Sequence, residues 1–221
     1  MTAYNAQMLT SIANKLVKFP LKRLEPSRNR TETAAAVLVI LHGHTDDPQV
    51  VLTQRALHLN SHSGEVAFPG GMWDKSDSDL LQTALREAYE EIGLEAHSVE
   101  PVATLPAGSP KRRDIHVTPY VAIAKERLNL TPDPSEIAAI FDVPLRLFMD
   151  ITQYQYFDMK IDNSDSGAVI RFPFIQYESY KIWGFTLKVI TDMLNDTLGA
   201  EIHLNYPTFE KIDELRKREK L

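Results

Sequence analysis

A chain of 221 residues, 43% hydrophobic and 24% charged, is long enough for one soluble domain with a sizeable core. Its net charge of −6 excludes broad electrostatic binding of nucleic acid. An anionic small molecule can then bind only where metal ions or local basic residues reverse the field. The absence of cysteine excludes disulfides, thiolate metal sites and cysteine nucleophiles, and fits a reducing compartment such as the cytoplasm.

From the start of the chain, Leu9, Ile12, Leu16 and Val17 predict an amphipathic helix over about residues 4–19, followed by a polar linker at 26–33. "AAAVLVILHG" (34–43) and "QVVLTQRA" (49–56) read as two strands joined by a polar turn. "GEVAFPGG" (64–71) gives a short strand ending at Pro69 and a glycine pair. An acidic turn and a helix from Leu80 follow. "VEPVATL" (99–105) and "IHVTPYVAIA" (115–124) are further strands, and residues 135–149 combine a strand with a short helix. Residues 168–177 and 180–185 suggest a hairpin, 186–199 a final helix, and 209–221 a charged tail. Irregular alternation of this kind predicts a layered α/β arrangement around a mixed sheet. Three regions are expected: helix and linker (1–33), the main domain (34–206) and the tail (207–221). No secretory signal is expected, because the first thirty residues lack a continuous apolar core. The longest apolar run, 34–41, is far short of the ~20 residues of a membrane span. A cytoplasmic protein without a membrane partner is the expectation.

The helix from Leu80 carries Leu81, Ala84, Leu85, Ala88 and Ile92 as one apolar stripe, with Asp and Ser residues before it to cap it and Gly93 to end it. At about 100° per residue, Glu87, Glu90 and Glu91 fall on one face beside that stripe. Two readings are open at this point. A solvated acidic face costs only roughly 0.2–0.5 kcal/mol per like-charged pair. Oxygen ligands on a rigid helix equally suit Mg²⁺ or Mn²⁺.

The context resembles a known family. "GGMWDKSDSDLLQTALREAYEEIGL" (70–94) is similar to the signature box of the Nudix hydrolases. That box runs glycine, five residues, Glu, seven residues, Arg-Glu, an aliphatic, any residue, Glu-Glu, any residue, Gly and an aliphatic. Gly71 opens it and "REAYEEIGL" (86–94) closes it, with Ala88 at the first aliphatic position. Asp77 stands at the mid-box glutamate, with eight residues between it and Arg86 instead of seven. Upstream, "VLTQRALHLNSHSGEVAFPGG" (51–71) resembles the motif of the coenzyme A diphosphatase branch. Leu52, Thr53, Arg55, Ala56, Gly64, Phe68, Pro69, Gly70 and Gly71 match, and "IWGFT" (182–186) is also similar. Asn60 replaces that branch's arginine and so removes a cation able to meet a phosphate.

The resemblance implies a Nudix-type mixed sheet between helices and hydrolysis of a diphosphate linkage. It implies that Glu87, Glu90 and Glu91, with Gly71, hold Mg²⁺ or Mn²⁺, and that Glu87, Glu91 and Arg86 form the catalytic set, Arg86 tying the loop to the helix through Asp77. Bound metal would neutralise the diphosphate and lower the pKa of a water. The glycine pair lets backbone approach without a side chain in the way. The implied substrate is a small nucleotide, coenzyme A or an acyl derivative. Another nucleoside diphosphate derivative, such as ADP-ribose or NADH, is the alternative, and a non-catalytic nucleotide sensor a further one. Candidate substrate contacts are Arg55, Asn60, Gly64, Phe68, Gly70 and Arg112 of the "KRR" loop. Glu136 is the best distant carboxylate for a general base. His58 and His62 read as ordinary loop residues, and Trp183 as core.

Overall fold

The apolar run at 34–41 lies within the central strand, β1 (Thr33–His44), of a computed structural model that describes residues 7–25, 33–59, 62–109, 115–160 and 169–207. Leu38, Val39, Ile40 and Leu41 are all fully buried, because both faces of this strand are covered. Alternate side chains enter two different cores. Val39 and Leu41 point into one, and Ala36, Leu38 and Ile40 into the other.

β1 turns through a tight connection into β2 (Asp47–Arg55), its antiparallel partner. β3 (Val66–Ala67) pairs with β2, and β4 (Gly70–Met72) returns to β1. β5 (Val99–Thr104), β6 (Ile115–Ala124) and β7 (Ile137–Pro144) complete a seven-stranded sheet. Its path is β3-β2-β1-β6-β5, with β4 on β1 and β7 on β2. β1 and β6 run parallel while the other pairs are antiparallel, so the sheet is mixed.

Helix α2 (Leu80–Ile92) covers one face, contributing Leu80, Leu81, Ala84, Ala88 and Ile92 to its core. α1 (Met8–Leu16), α3 (Leu145–Met149) and α4 (Gly184–Leu198) cover the other. The expected sandwich of a mixed sheet between helices is therefore present. A second sheet, β10-β9-β8, is built from β8 (Tyr154–Lys160), β9 (Val169–Tyr177) and β10 (Tyr180–Trp183). No helix among the described residues is long and apolar enough to cross a membrane.

Three details differ from the sequence expectations. The glycine pair does not follow the end of a strand but is itself strand β4, because Gly70 and Gly71 pair with Val37 and Ala36. β8 adds an unexpected third strand to the late hairpin. The leading helix ends at Leu16, leaving Val17 77% exposed, and Met8, Ile12 and Leu16 lie in the same core as α4. The tail at 209–221 and nearly all of the linker fall outside the described residues.

Candidate active site

β1 shares one edge between two partners. β2 pairs with its C-terminal part at Leu41–His44, and β4 takes Ala35–Val37. The splay lets the backbone at Gly70 press against β1. A Cβ at Gly70 would lie 2.3 Å from the Ala36 carbonyl oxygen, and φ there is 149°, so glycine is required. Pro69 completes the junction, its carbonyl accepting from Leu38 N–H at 2.9 Å.

α2 begins where Asp79 caps it, one carboxylate oxygen accepting from Gln82 N–H at 2.9 Å. Gly93, left-handed at φ 67°, closes it. The following segment satisfies the end of the helix, since Asp133 N–H donates to Glu91 O and Thr131 N–H to Ile92 O, each at 2.9 Å.

Arg86 is the hub of the acidic face. Its Nε and Nη2 donate to the two oxygens of Asp77 at 2.9 and 3.0 Å, and Nη2 also reaches Met72 O at 3.2 Å. Its Nη1 stands 2.9 Å from both Glu87 and Glu90. The shorter acid and the extra residue are thus accommodated. Asp77 also accepts from Asp74 N–H at 3.1 Å and from the fully buried Thr83 hydroxyl at 2.9 Å. Burial opposes the Asp77 charge, yet Arg86, the backbone donor and Thr83 together hold its carboxyl below the usual range. Thr83 was not singled out by sequence, although a hydroxyl at an apolar-stripe spacing is a readable signal.

Glu91 faces away from Arg86. One oxygen accepts from Gly70 N–H at 3.0 Å and the other lies 3.4 Å from Arg55 Nη1. Burial pushes its pKa up to about 7. The Gly70 donor and Arg55 offset part of that rise, and Glu87 and Glu136 add to it. Burial likewise raises Glu87, against the pull of Arg86 and with Glu90 and Glu136 reinforcing the rise. Glu136 is therefore within electrostatic reach of both carboxylates. Its carbonyl holds Ala56 N–H at 2.7 Å, which fixes it beside the end of β2.

Among the described residues, no three His, Asp or Glu side chains converge closely enough to enclose an ion. Glu87 and Glu90 share Arg86 Nη1, while Glu91 turns to Gly70 N–H and Arg55. The donor set nonetheless suits a hard divalent cation: all oxygen, on one helix, with a buried carboxylate short of positive partners. Gly71 leaves the space that Glu87 uses, since a Cβ there would lie 2.4 Å from Glu87 Oε2.

Other candidates divide. Arg55 extends from the sheet face that α2 covers, as Val51 does in the α2 core. Gly64, at φ 70°, shapes the turn before β3 and donates to Arg55 O at 3.1 Å. Phe68 is corrected: it is 3% exposed within the core on the α4 side, so its ring is not available to a substrate. Asn60 and Arg112 lie outside the described residues. His58 meets Ser135 O at 3.0 Å and His62 meets Glu65 at 2.6 Å. Trp183 packs edge-on against Phe157 and Phe172.

Comparison with known proteins bears on the family and the fold. The model of the NUDIX domain family matches residues 31–166. The uncharacterized Nudix hydrolase NudL of Enterobacter sp. (strain 638) is 32% identical over 178 residues, covering 80% of this chain and 90% of the relative. NudL of Klebsiella pneumoniae (strain 342) is similar to the same extent. Among solved structures, a NUDIX hydrolase from Alicyclobacillus acidocaldarius shares the fold with a TM-score of 0.50 at 17% identity, over 80% of this chain and 98% of that one. The chain belongs to the Nudix family and is a hydrolase of diphosphate bonds in nucleoside diphosphate derivatives.

Proposed function

We propose that the substrate is coenzyme A or an acyl-coenzyme A, cleaved to 4′-phosphopantetheine (or its acyl form) and adenosine 3′,5′-bisphosphate. One observation carries this reading. Arg55, from the stretch that resembles the coenzyme A diphosphatase branch, stands 3.4 Å from Glu91 of the Nudix box, so the two motifs meet at one site.

In this reading Glu87, Glu90 and Glu91, with the backbone at Gly71, hold Mg²⁺ or Mn²⁺. The ion supplies charge neutralisation and a lowered water pKa when bound. Arg86 keeps the loop at Asp77 fixed to the helix and so sets where Glu87 and Glu90 stand. Arg55 receives the diphosphate oxygens, Gly70, having no side chain, leaves room for them, and Arg112 is a further cation for the substrate. Water supplies the incoming oxygen, a bond from it to phosphorus forms, the bridging P–O bond breaks, and Glu136 accepts the proton as general base. A cytoplasmic location fits a chain without cysteine.

Asn60 favours a second reading, in which another nucleoside diphosphate derivative such as ADP-ribose or NADH is preferred. Purified protein with Mg²⁺ or Mn²⁺, given coenzyme A, ADP-ribose, NADH and diadenosine polyphosphates, separates the two. Coenzyme A is expected to show the highest kcat/KM. In the Asn60→Arg variant its KM is expected to fall about tenfold, the equivalent of roughly 1.4 kcal/mol. A tenfold or greater preference for ADP-ribose or a dinucleotide would overturn the coenzyme A assignment and leave the family chemistry standing.

A further inference from the structure

Residues 17–25 precede the stretch matched by the family model, yet they connect the two faces of the sheet. Phe19 packs against the core that contains α1, and Leu24 against the core that contains α2. Between them the chain rounds β5, the edge strand of the large sheet. Thr104 N–H donates to Phe19 O at 3.2 Å, Lys22 N–H donates to Thr104 Oγ1 at 2.8 Å, and Pro20 bridges Ala103. The fully buried Tyr120 donates its hydroxyl to Lys22 O at 3.1 Å.

The segment ends on the first turn of α2. Leu80 N–H, which has no partner within its own helix, donates to Leu24 O at 2.9 Å. Arg23 Nη1 meets the second oxygen of the capping Asp79 at 3.1 Å. The two side chains of that pair differ sharply in exposure, 70% for Arg23 against 7% for Asp79. Burial opposes the charge on Asp79, but the Gln82 N–H and Arg23 outweigh it and keep the carboxyl below its usual range.

We propose that residues 19–25 form a strap that positions the catalytic helix, with Arg23 as a positioning residue acting through Asp79 and the Leu24 carbonyl on Glu87 and Glu91. The proposal rests on the reading that α2 carries the catalytic carboxylates. A helix moves as a rigid body, and Glu87 lies roughly 10 Å along the axis from Leu80 at 1.5 Å per residue. Release at the first turn therefore shifts every carboxylate beyond it. A misplacement of about 1 Å at reacting groups can cost a hundredfold in rate. Arg23 is itself exposed and Asp79 keeps the Gln82 N–H without it, so the loss of Arg23 costs little global stability. Activity and stability thus respond differently, which separates positioning from general support.

The test compares Arg23→Glu, Arg23→Lys and wild type in the full chain with Mg²⁺. It reads kcat and KM on coenzyme A or the best diphosphate substrate, thermal midpoint, and hydrogen exchange at the Leu80 amide. For Arg23→Glu, kcat is expected to fall about five- to tenfold with KM within about twofold. Leu80 exchange should quicken about tenfold, while the thermal midpoint moves by less than about 4 °C. Arg23→Lys should stay within about twofold of wild type in kcat, because the cation is kept. Unchanged Leu80 exchange in Arg23→Glu would overturn the proposal. So would faster exchange with unchanged kcat, which would reduce the strap to a stabilising contact. Glu87→Gln, assayed in parallel, reports on the catalytic role of α2 itself. Full activity there would defeat that reading, while the Leu80 exchange still decides whether Arg23 holds the helix.

Discussion

At Glu91, a side chain 3% exposed has one backbone donor and one arginine to balance its charge, and burial drives its pKa up to about 7. The unfolded chain ionises this group near 4.5. Between these values the folded state holds a proton that the unfolded state has released. The corresponding stability is fully present below pH 4.5 and is lost as pH rises through 7. Glu91→Gln keeps an oxygen for Gly70 N–H but has no charge to bury. In EDTA, denaturant melts should therefore show the variant more stable than wild type at pH 8, by about 1–3 kcal/mol, with the difference shrinking toward pH 4.5. A variant destabilised equally at both pH values would contradict the burial argument. None of this environment is legible in "REAYEEIGL", where Glu90 and Glu91 are adjacent and look equivalent. The tertiary surroundings separate them: Glu90 is exposed beside Arg86, and Glu91 turns under toward β4.

Gly70 and Gly71 differ in what a methyl group would strike. At Gly70 it would meet backbone of β1 at a φ that L residues avoid. At Gly71 the three nearest atoms would all belong to the end of the Glu87 side chain. Gly70→Ala should therefore cost stability, about 3 kcal/mol or more, by forcing β4 off β1. Gly71→Ala should keep its thermal midpoint within a few degrees but lose most of its kcat as Glu87 is displaced. Equal losses of stability in the two variants would show that the splayed edge of β1 does not distinguish them. Helix α2 was readable because stripe, cap and terminal glycine all agree on its limits. β4 was not, since two glycines carry no side-chain alternation and their pairing with β1 is long-range. β8 escaped for a related reason: its side chains are half-buried or exposed throughout, so no apolar face marks it. The Asp77–Arg86 pair survives its altered spacing because Thr83 and the Asp74 backbone complete the cradle, which a motif pattern does not encode.

Across the whole molecule, the large sheet separates two cores, and α1 belongs to the one opposite the acidic helix. Ile12 is fully buried there. Ile12→Ala should lower stability by about 2–4 kcal/mol in chemical denaturation. A change under about 0.5 kcal/mol would mean that α1 is a loose appendage. The layered fold was legible because β1 reads as a strand buried on both faces and α2 as a helix with one apolar stripe. The attachment of the leading helix was not, because its partners on α4 lie far along the chain. In the proposed mechanism the carboxylates of α2 perform the chemistry in this frame. The most direct measurement is the initial rate of coenzyme A hydrolysis with saturating Mg²⁺ by wild type and by Glu87→Gln at matched folded concentration. The variant is expected to lose at least about a hundredfold in kcat with little change in KM. A Glu87→Gln protein that turns over at the wild-type rate would contradict that mechanism.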